Sequence, residues 1–533
     1  MLAWHYQSAG EEARALEFLV RAGSQANRML AFDRAARHFQ RALTVIGEGD
    51  PRRIELLGSL AQALANSGRG VEAAGLYLDA ARASPENRNH LQRRAAEQLM
   101  FAGKIEEAME LTRRHLRSEG YALPRGPKRA VFSVLMGRLR LRVRGLAPTE
   151  GPKATPERLA FLEHLRRLAT GLTLVAPATG AAIGTRFSLD ALSSGDPWMF
   201  ALGTWVVAGH SMPQPYSKRS QYLFELARSR FDAVADPRLL ALMRTLEGWR
   251  AWASADWREV LRILEEADPL LREWAPEAIW ELWTSRSFVN RSLFVLGQWR
   301  ELRRRILAAH SHARECGHIY GTATMVANVG MGAWLVQDEV AAARRNLREI
   351  ANLWTYPGLQ HFWFLAAETL VDLYVGEANA AWARLQAGSV DIRRSLLAGY
   401  PNSRLLAHHV CGSAALAAAA ELGVSNREHR QLLSRAHAVA GRLDRVPGPS
   451  ARPLAELLHA GVAFQRGDSM EAKRRLESGV RALDLAGMRA HAEAARRHLA
   501  RLTGHVLPEF LAGEGVVDPE ACARMLVPGF PSS

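Results

Sequence analysis

The chain has 533 residues, 48% of them hydrophobic, and a formal net charge of +15. That apolar share excludes a disordered chain, and the length exceeds one compact core, leaving about three or four ordinary domains or one long repeat array. Only five of the 69 basic residues are Lys, so 64 are Arg. They come as scattered doublets (Arg93-Arg94, Arg113-Arg114, Arg304-Arg305, Arg344-Arg345, Arg474-Arg475, Arg496-Arg497). This is the pattern of solvated outer helix faces, not the aromatic-interleaved basic stripe of a nucleic-acid binder.

At the N-terminus, Ala3, Tyr6, Gly10, Ala15, Leu19 and Ala22 set up a spacing that recurs. Ala35, Phe39 and Ala42 carry half of it. Residues 61–85 carry all of it: Ala61, Leu64, Gly68, Ala73, Tyr77, Ala80, Pro85. Ala96, Leu99, Gly103 and Ala108 repeat it, with Gly103 falling 35 residues after Gly68. Small residues let two helices approach closely, Gly takes the left-handed turn between them, large residues fill the gap, and Pro stops the second helix. This is the spacing of a tetratricopeptide (TPR) repeat. The fold expected is an all-α, TPR-like α-solenoid of antiparallel helix pairs, almost without strand.

Residues 1–120 read as TPR-like hairpins. Only Met1 and Leu2 precede Ala3, so the first helix lacks an N-cap and an upstream capping helix. Leu2, Tyr6, Leu16 and Leu19 are expected to leave an uncovered apolar edge, as in the C-terminal piece of a longer protein or of a split gene. Residues 121–157 read as a Pro- and Gly-bounded linker around a basic helix, VFSVLMGRLRLRVR, whose Arg side chains point to water. Residues 158–440 read as degenerate, Trp-rich hairpins. Gly297, Asp338 and Gly376 fall in their turns, 41 and 38 residues apart. The uncharged run 168–185 holds Pro177, three Gly and four Thr. It reads as buried solenoid helix rather than a membrane span, which wants about 20 strongly apolar residues. Residues 441–453 look like a second linker. The segment 441–504 carries further TPR-like helices (Ala460, Ala463, Gly467, Ala472, Leu476), and 505–533 reads as an irregular tail.

Cys316, Cys411 and Cys522 lie far apart with no CxxC pair, the usage of a reducing cytoplasm. His310, His312, Cys316 and His318 cluster in AHSHARECGH. His312 and Cys316 stand one helical turn apart and could share a zinc ion, but a closed site wants four placed ligands. No triad signature is present, and neither cofactor nor metal is expected. Thirteen of the fourteen Trp lie between Trp198 and Trp382. They read first as core. The functional alternative is a concave aromatic groove for a partner, with Trp249, Trp252, Trp334 and Trp363 as its residues.

Three stretches resemble a known class: residues 2–43 (LAWHYQSAGEEARALEFLVRAGSQANRMLAFDRAARHFQRAL), 118–146 (SEGYALPRGPKRAVFSVLMGRLRLRVRGL) and the ending VVDPEACARMLVPGF. The chain resembles, over its whole length, the C-terminal TPR-like arm of bacterial multidomain signalling proteins that carry a serine/threonine kinase domain and a STAND-type ATPase module. The kinase loop and the HRD and DFG motifs are missing, and so is G-x-x-x-x-G-K-[ST]. The fragment GPKAT at 151–155 does not supply it. The resemblance therefore implies a non-enzymatic scaffold or sensor arm for protein partners, such as a kinase or ATPase module, with nucleic acid and membrane not expected as partners. Two other readings stand beside it: an enzyme or metal site near His310–His318, and a nucleic-acid-binding solenoid.

Overall fold

The computed structural model describes residues 2–29, 31–148, 153–315, 317–353, 359–394, 399–506 and 509–531. All regular structure among them is helical, with no strand. Cys316, Trp354 and the first two residues of GPKAT lie outside the described residues.

The chain forms two compact units. The first comprises residues 1–123 with 309–322 and 353–356; the second comprises 124–308, 323–352 and 357–533. A contiguous reading of the sequence did not anticipate that 309–322 joins the N-terminal hairpins. There the backbone at Gly317 abuts that of Gly68 so closely that a Cβ would sit 2.2 Å from the Gly68 carbonyl oxygen. Nor is there a division near 441 or 505: both segments belong to the second unit.

The first unit holds α1 (Leu2–Ser8), α2 (Glu12–Arg28), α3 (Phe32–Val45), α4 (Arg52–Asn66), α5 (Gly70–Ala83), α6 (Arg88–Phe101) and α7 (Ile105–Ser118). Each packs on its neighbour in sequence, the mark of stacked helical hairpins. Residues 61–85 form one hairpin as the spacing requires. Ala61, Ala73, Tyr77 and Ala80 are buried between α4 and α5. The turn falls at Gly68, whose φ of 83° is left-handed. Gly10, Gly103, Gly297, Gly376, Gly467 and Asp338 also take positive φ at their turns. The small–large–Gly pattern thus reports the hairpins through backbone geometry.

The second unit runs through α8 (Pro127–Arg144), α9 (Pro156–Val175), α10 (Pro177–Ala191), α11 (Pro197–Gly209), α12 (Lys218–Val234), α13 (Pro237–Ala253), α14 (Trp257–Trp274), α15 (Ile279–Leu296) and most of α16 (Trp299–Glu315). Then come the second half of α17 (Ile319–Val326), whose first four residues belong to the first unit, α18 (Gly332–Leu335), α19 (Val340–Leu353) up to its last residue, α20 (Leu359–Val375), α21 (Ala378–Arg394) and α22 (Pro401–Ala420). The last are α23 (Arg427–Leu443), α24 (Ala451–Gln465), α25 (Ser469–Ala486), α26 (Arg489–Thr503), α27 (Phe510–Gly513) and α28 (Pro519–Leu526). Local chemistry sets many starts. Asp196, Asp236 and Asp518 accept backbone N–H bonds as caps, each followed by Pro at the first helical position. The architecture is a TPR-like α-solenoid of successive helix pairs.

Two expectations need correction. The tail after 505 is not irregular. It folds into α27 and α28, and α28 buries Cys522, Met525 and Leu526 against α20 and α26. Arg524 there donates to the Tyr374 carbonyl, and Glu520 pairs with Arg497. The break at 441–453 is not a free linker either: Ser450 accepts from Trp257 Nε1 at 2.8 Å and donates to the Ala255 carbonyl. The uncharged run 168–185 is the end of α9 and the start of α10, broken at Pro177. A Cβ at Gly180 would lie 2.3 Å from the Thr173 backbone nitrogen, so only Gly permits this crossing. No described helix is long and apolar enough to cross a membrane.

Helix α8 turns Arg138, Arg140 and Arg142 to water as expected, but Arg144 is half-buried and donates to the Leu192 carbonyl and Ser193 Oγ, and the apolar residues divide. Ala130, Val134 and Leu141 are buried, and α8 packs on α10. Phe132, Leu135, Met136, Leu139 and Val143 face away and are exposed. One neighbouring helix covers one stripe and leaves the opposite stripe bare. Leu139→Gln is therefore expected to change stability by no more than about 0.5 kcal/mol. Leu141→Ala, two residues on, should cost about 2–5 kcal/mol. Denaturant titration of both variants measures the contrast, and equal effects would contradict this packing.

Candidate functional site

The first helices of three successive hairpins in the N-terminal unit, α2, α4 and α6, form a groove of about 770 Å³. Its floor is apolar. Phe39 and Leu91 are buried there, and Tyr77 reaches in from α5. Polar side chains rise from the three helices: Ser24, Asn27 and Arg28 from α2, Ser59 and Gln62 from α4, His90 and Arg94 from α6.

One network fixes the middle. Arg94 Nη2 donates to Tyr77 Oη at 3.0 Å and also to Gln62 Oε1. The Tyr77 hydroxyl donates to the same Gln62 oxygen at 3.4 Å. The guanidinium lies over the Tyr77 ring, 5.2 Å from its centroid, a cation–π contact. Gln62 Nε2 in turn donates to Asn66 Oδ1 at 2.7 Å. Burial raises the Tyr77 pKa, so the phenol stays protonated at neutral pH. Burial, with Arg93 and Arg94 nearby, lowers the pKa of His90, which stays neutral. Asn27 Oδ1 is buried and has no donor among the described residues. The groove therefore offers guanidinium and imidazole donors and amide acceptors over an apolar floor. An extended peptide presents what such a surface binds: backbone N–H and C=O groups with alternating side chains.

Reasoning from the sequence named Phe39 and Tyr77 only as repeat positions and put Arg94 on a solvated outer face, where the structure instead bonds it to Tyr77; it did not single out Ser24, Asn27, Ser59 or Gln62, although a signal for them exists. Asn27 and Gln62 are 35 residues apart, and Ser24, Ser59 and Arg94 recur at the same step. That is the step from Gly68 to Gly103. Polar residues in register with the repeat mark one shared face of the first helices.

The four tryptophans, read first as core and alternatively as a groove, lie in the core. Trp249, Trp252, Trp334 and Trp363 are buried, at 8%, 7%, 6% and 2% exposure. The longer hairpins need bulky filler, and indole rings supply it. Trp252 stacks on Phe288 with centroids 4.1 Å apart, and Trp249 meets the same ring edge-on. These two line a small apolar cavity with Trp205. The histidine cluster is also placed. His310 is buried and His312 exposed. His318 packs on Phe101 at 4.8 Å and is driven by burial to a pKa of about 4. Among the described residues no group of three or more His, Cys, Asp or Glu side chains could hold a metal ion.

No family model matches the chain, and no curated protein matches it. Its structure is similar to the crystal structure of yeast Tom70, with 11% identity, 92% of this chain and 99% of that chain covered, and a TM-score of 0.32. It is also similar to the crystal structure of the APC/C hetero-tetramer Cut9–Hcn1, with 12% identity, coverage of 91% and 96%, and a TM-score of 0.25. Similarity at that level assigns this chain neither partner nor activity.

Proposed function

We propose that this chain is a non-enzymatic scaffold whose N-terminal hairpins hold an extended segment of a protein partner. The observation that carries the reading is the in-register set of polar residues on α2, α4 and α6, lying over an apolar floor. On the resemblance of its three stretches, we place it as a sensor arm in a cytoplasmic, bacterial kinase- or STAND-ATPase-linked system.

Panning a display library of random peptides on the full chain tests the scaffold reading. Selected peptides should lose about tenfold or more in affinity on Arg94→Ala or Asn27→Ala. The melting profile shows whether each variant stays folded, and Leu139→Gln serves as a control outside the groove. No enrichment, or equal binding by folded groove variants, would overturn the reading. The signalling link is tested separately by adding the chain to a purified kinase–ATPase module of the resembled class. The module's phosphorylation or hydrolysis rate should change, and the chain alone should neither bind nucleotide saturably nor hydrolyse ATP.

A further inference from the structure

Helix α8 differs from its fellows in how its charge is matched. Many exposed arginines elsewhere stand beside a carboxylate three or four residues away, as in Arg69–Glu72, Arg262–Glu266, Arg304–Glu301 and Arg474–Glu471. Such pairs cancel charge within one helix face. Between Glu119 and Glu150 no Asp or Glu occurs, while seven of the residues are Lys or Arg. Lys128, Arg129, Arg138, Arg140 and Arg142 are all exposed, and none forms an ion pair among the described residues.

The same helix carries the bare apolar stripe. At the pitch of an α-helix, Phe132, Leu135, Met136, Leu139 and Val143 fall within an arc of about 100°. That arc lies opposite Ala130, Val134 and Leu141, the face that packs on α10. Phe132 and Val143 are 65% and 82% exposed, so the stripe stands out as a ridge. Arg129 and Arg140 border one edge of it, and Arg138 and Arg142 the other. An apolar centre with cationic margins is the make-up of a helix that lies in a membrane interface. Charge and shape decide among the occupants. A second copy of the ridge would set arginine margins against each other, with no carboxylate on α8 to receive them. A nucleic acid would satisfy the arginines and leave five apolar side chains in water. A protein partner seats its hot-spot anchors in fitted pockets, whereas a fluid bilayer accepts a protruding ridge without one.

We infer that α8 docks the chain on an anionic lipid surface. The helix would lie along the bilayer, with Phe132, Leu135, Leu139 and Val143 in the acyl boundary and the flanking arginines on acidic headgroups. The sequence alone pointed to no membrane partner, because these arginines read as ordinary solvated charge. The exposed ridge opposite the α10 contact changes that reading. The proposal rests on α8 and does not depend on the peptide groove.

Flotation of the full chain with two kinds of vesicle tests this, one of phosphatidylcholine alone and one that also contains phosphatidylglycerol. The chain should float with the anionic vesicles, about tenfold or more better than with the neutral ones, and raised salt should weaken the binding. Phe132→Gln, Leu135→Gln and Leu139→Gln together leave the charge unchanged and should weaken binding about a hundredfold. Arg140→Gln with Arg142→Gln should weaken it about tenfold. Arg345→Gln with Arg348→Gln removes the same charge from exposed positions on α19 and should change binding by less than about twofold. All these positions are exposed, and unchanged melting profiles confirm that each variant folds. The inference fails if the chain does not float with anionic vesicles or floats equally with both kinds. It also fails if the folded apolar variant binds like the wild type, or if the α19 variant loses as much as the α8 charge variant.

Discussion

Replacing Arg166 with alanine is expected to destabilise the second unit by about 3–5 kcal/mol. Arg166 sits on α9 at 1% exposure. Its Nη1 donates to Glu281 Oε1 at 2.9 Å, and its Nε and Nη2 grip both oxygens of Glu163 at 2.9 and 2.8 Å. Glu281 is on α15 and equally buried, so the guanidinium ties together helices more than a hundred residues apart in sequence. Removing it strands a buried carboxylate without its counter-ion, and that desolvation is the source of the loss. Arg166→Met combined with Glu163→Leu and Glu281→Leu should recover most of the stability, because no charge is then left buried. Burial pushes the Glu163 carboxyl up, but Arg166 and Arg167 outweigh it and hold the group below its ordinary value. With a depressed folded pKa, this stabilisation is present above the unfolded value of about 4.3 and is lost as pH falls through the folded one. Urea titration of both variants at pH 7 measures the contrast. A loss under about 1 kcal/mol for Arg166→Ala would show that the cluster is solvated.

A second large effect is expected on acidification, between about pH 6.5 and pH 4. His409, His491 and His498 are all buried in the second unit. Burial, aided by Arg291, holds His409 near 3. Burial, aided by His409 and Arg291, holds His491 well below its ordinary value. Burial, with Arg501 and Arg497 nearby, holds His498 near 4 despite backbone bonds that favour its charged form. The unfolded chain takes up these protons below about 6.5 and the folded chain does not, so stability is full above that pH and falls beneath it. Each histidine contributes up to about 1.4 kcal/mol per pH unit across the window. Urea midpoints taken at half-unit steps should fall steeply from pH 6.5 downward, and His409→Gln should flatten the slope by no more than about a quarter, since burial also depresses His210 in the same unit. A midpoint that holds from pH 7 to pH 4.5 would contradict the burial of these rings.

The repeat was legible because it is written in backbone requirements. Gly10, Gly68, Gly103, Gly297, Gly376 and Gly467 stand where a left-handed turn must go, and all six take positive φ. The small residues beside them mark close helix approach. Three things were not legible. The tryptophans were ambiguous because an indole suits both a core gap and a binding hot spot, and only packing distinguishes them. The fold of the tail was hidden because α28 is short, and its helix is held by α20 and α26 rather than by its own periodicity. The groove residues were overlooked because Asn27, Gln62 and Arg94 look like ordinary surface polarity until the 35-residue step is applied to them.

Site-specific photo-crosslinking tests the central claim, that the first helices form the face that holds a partner. A photoreactive residue at Ser59 on α4 sits inside the groove, and one at Asp79 on α5 is exposed outside it. With a peptide selected by panning, the account predicts a covalent adduct from Ser59, suppressed by excess unlabelled peptide, and none from Asp79. Equal labelling at the two positions, or labelling from Asp79 alone, would contradict it.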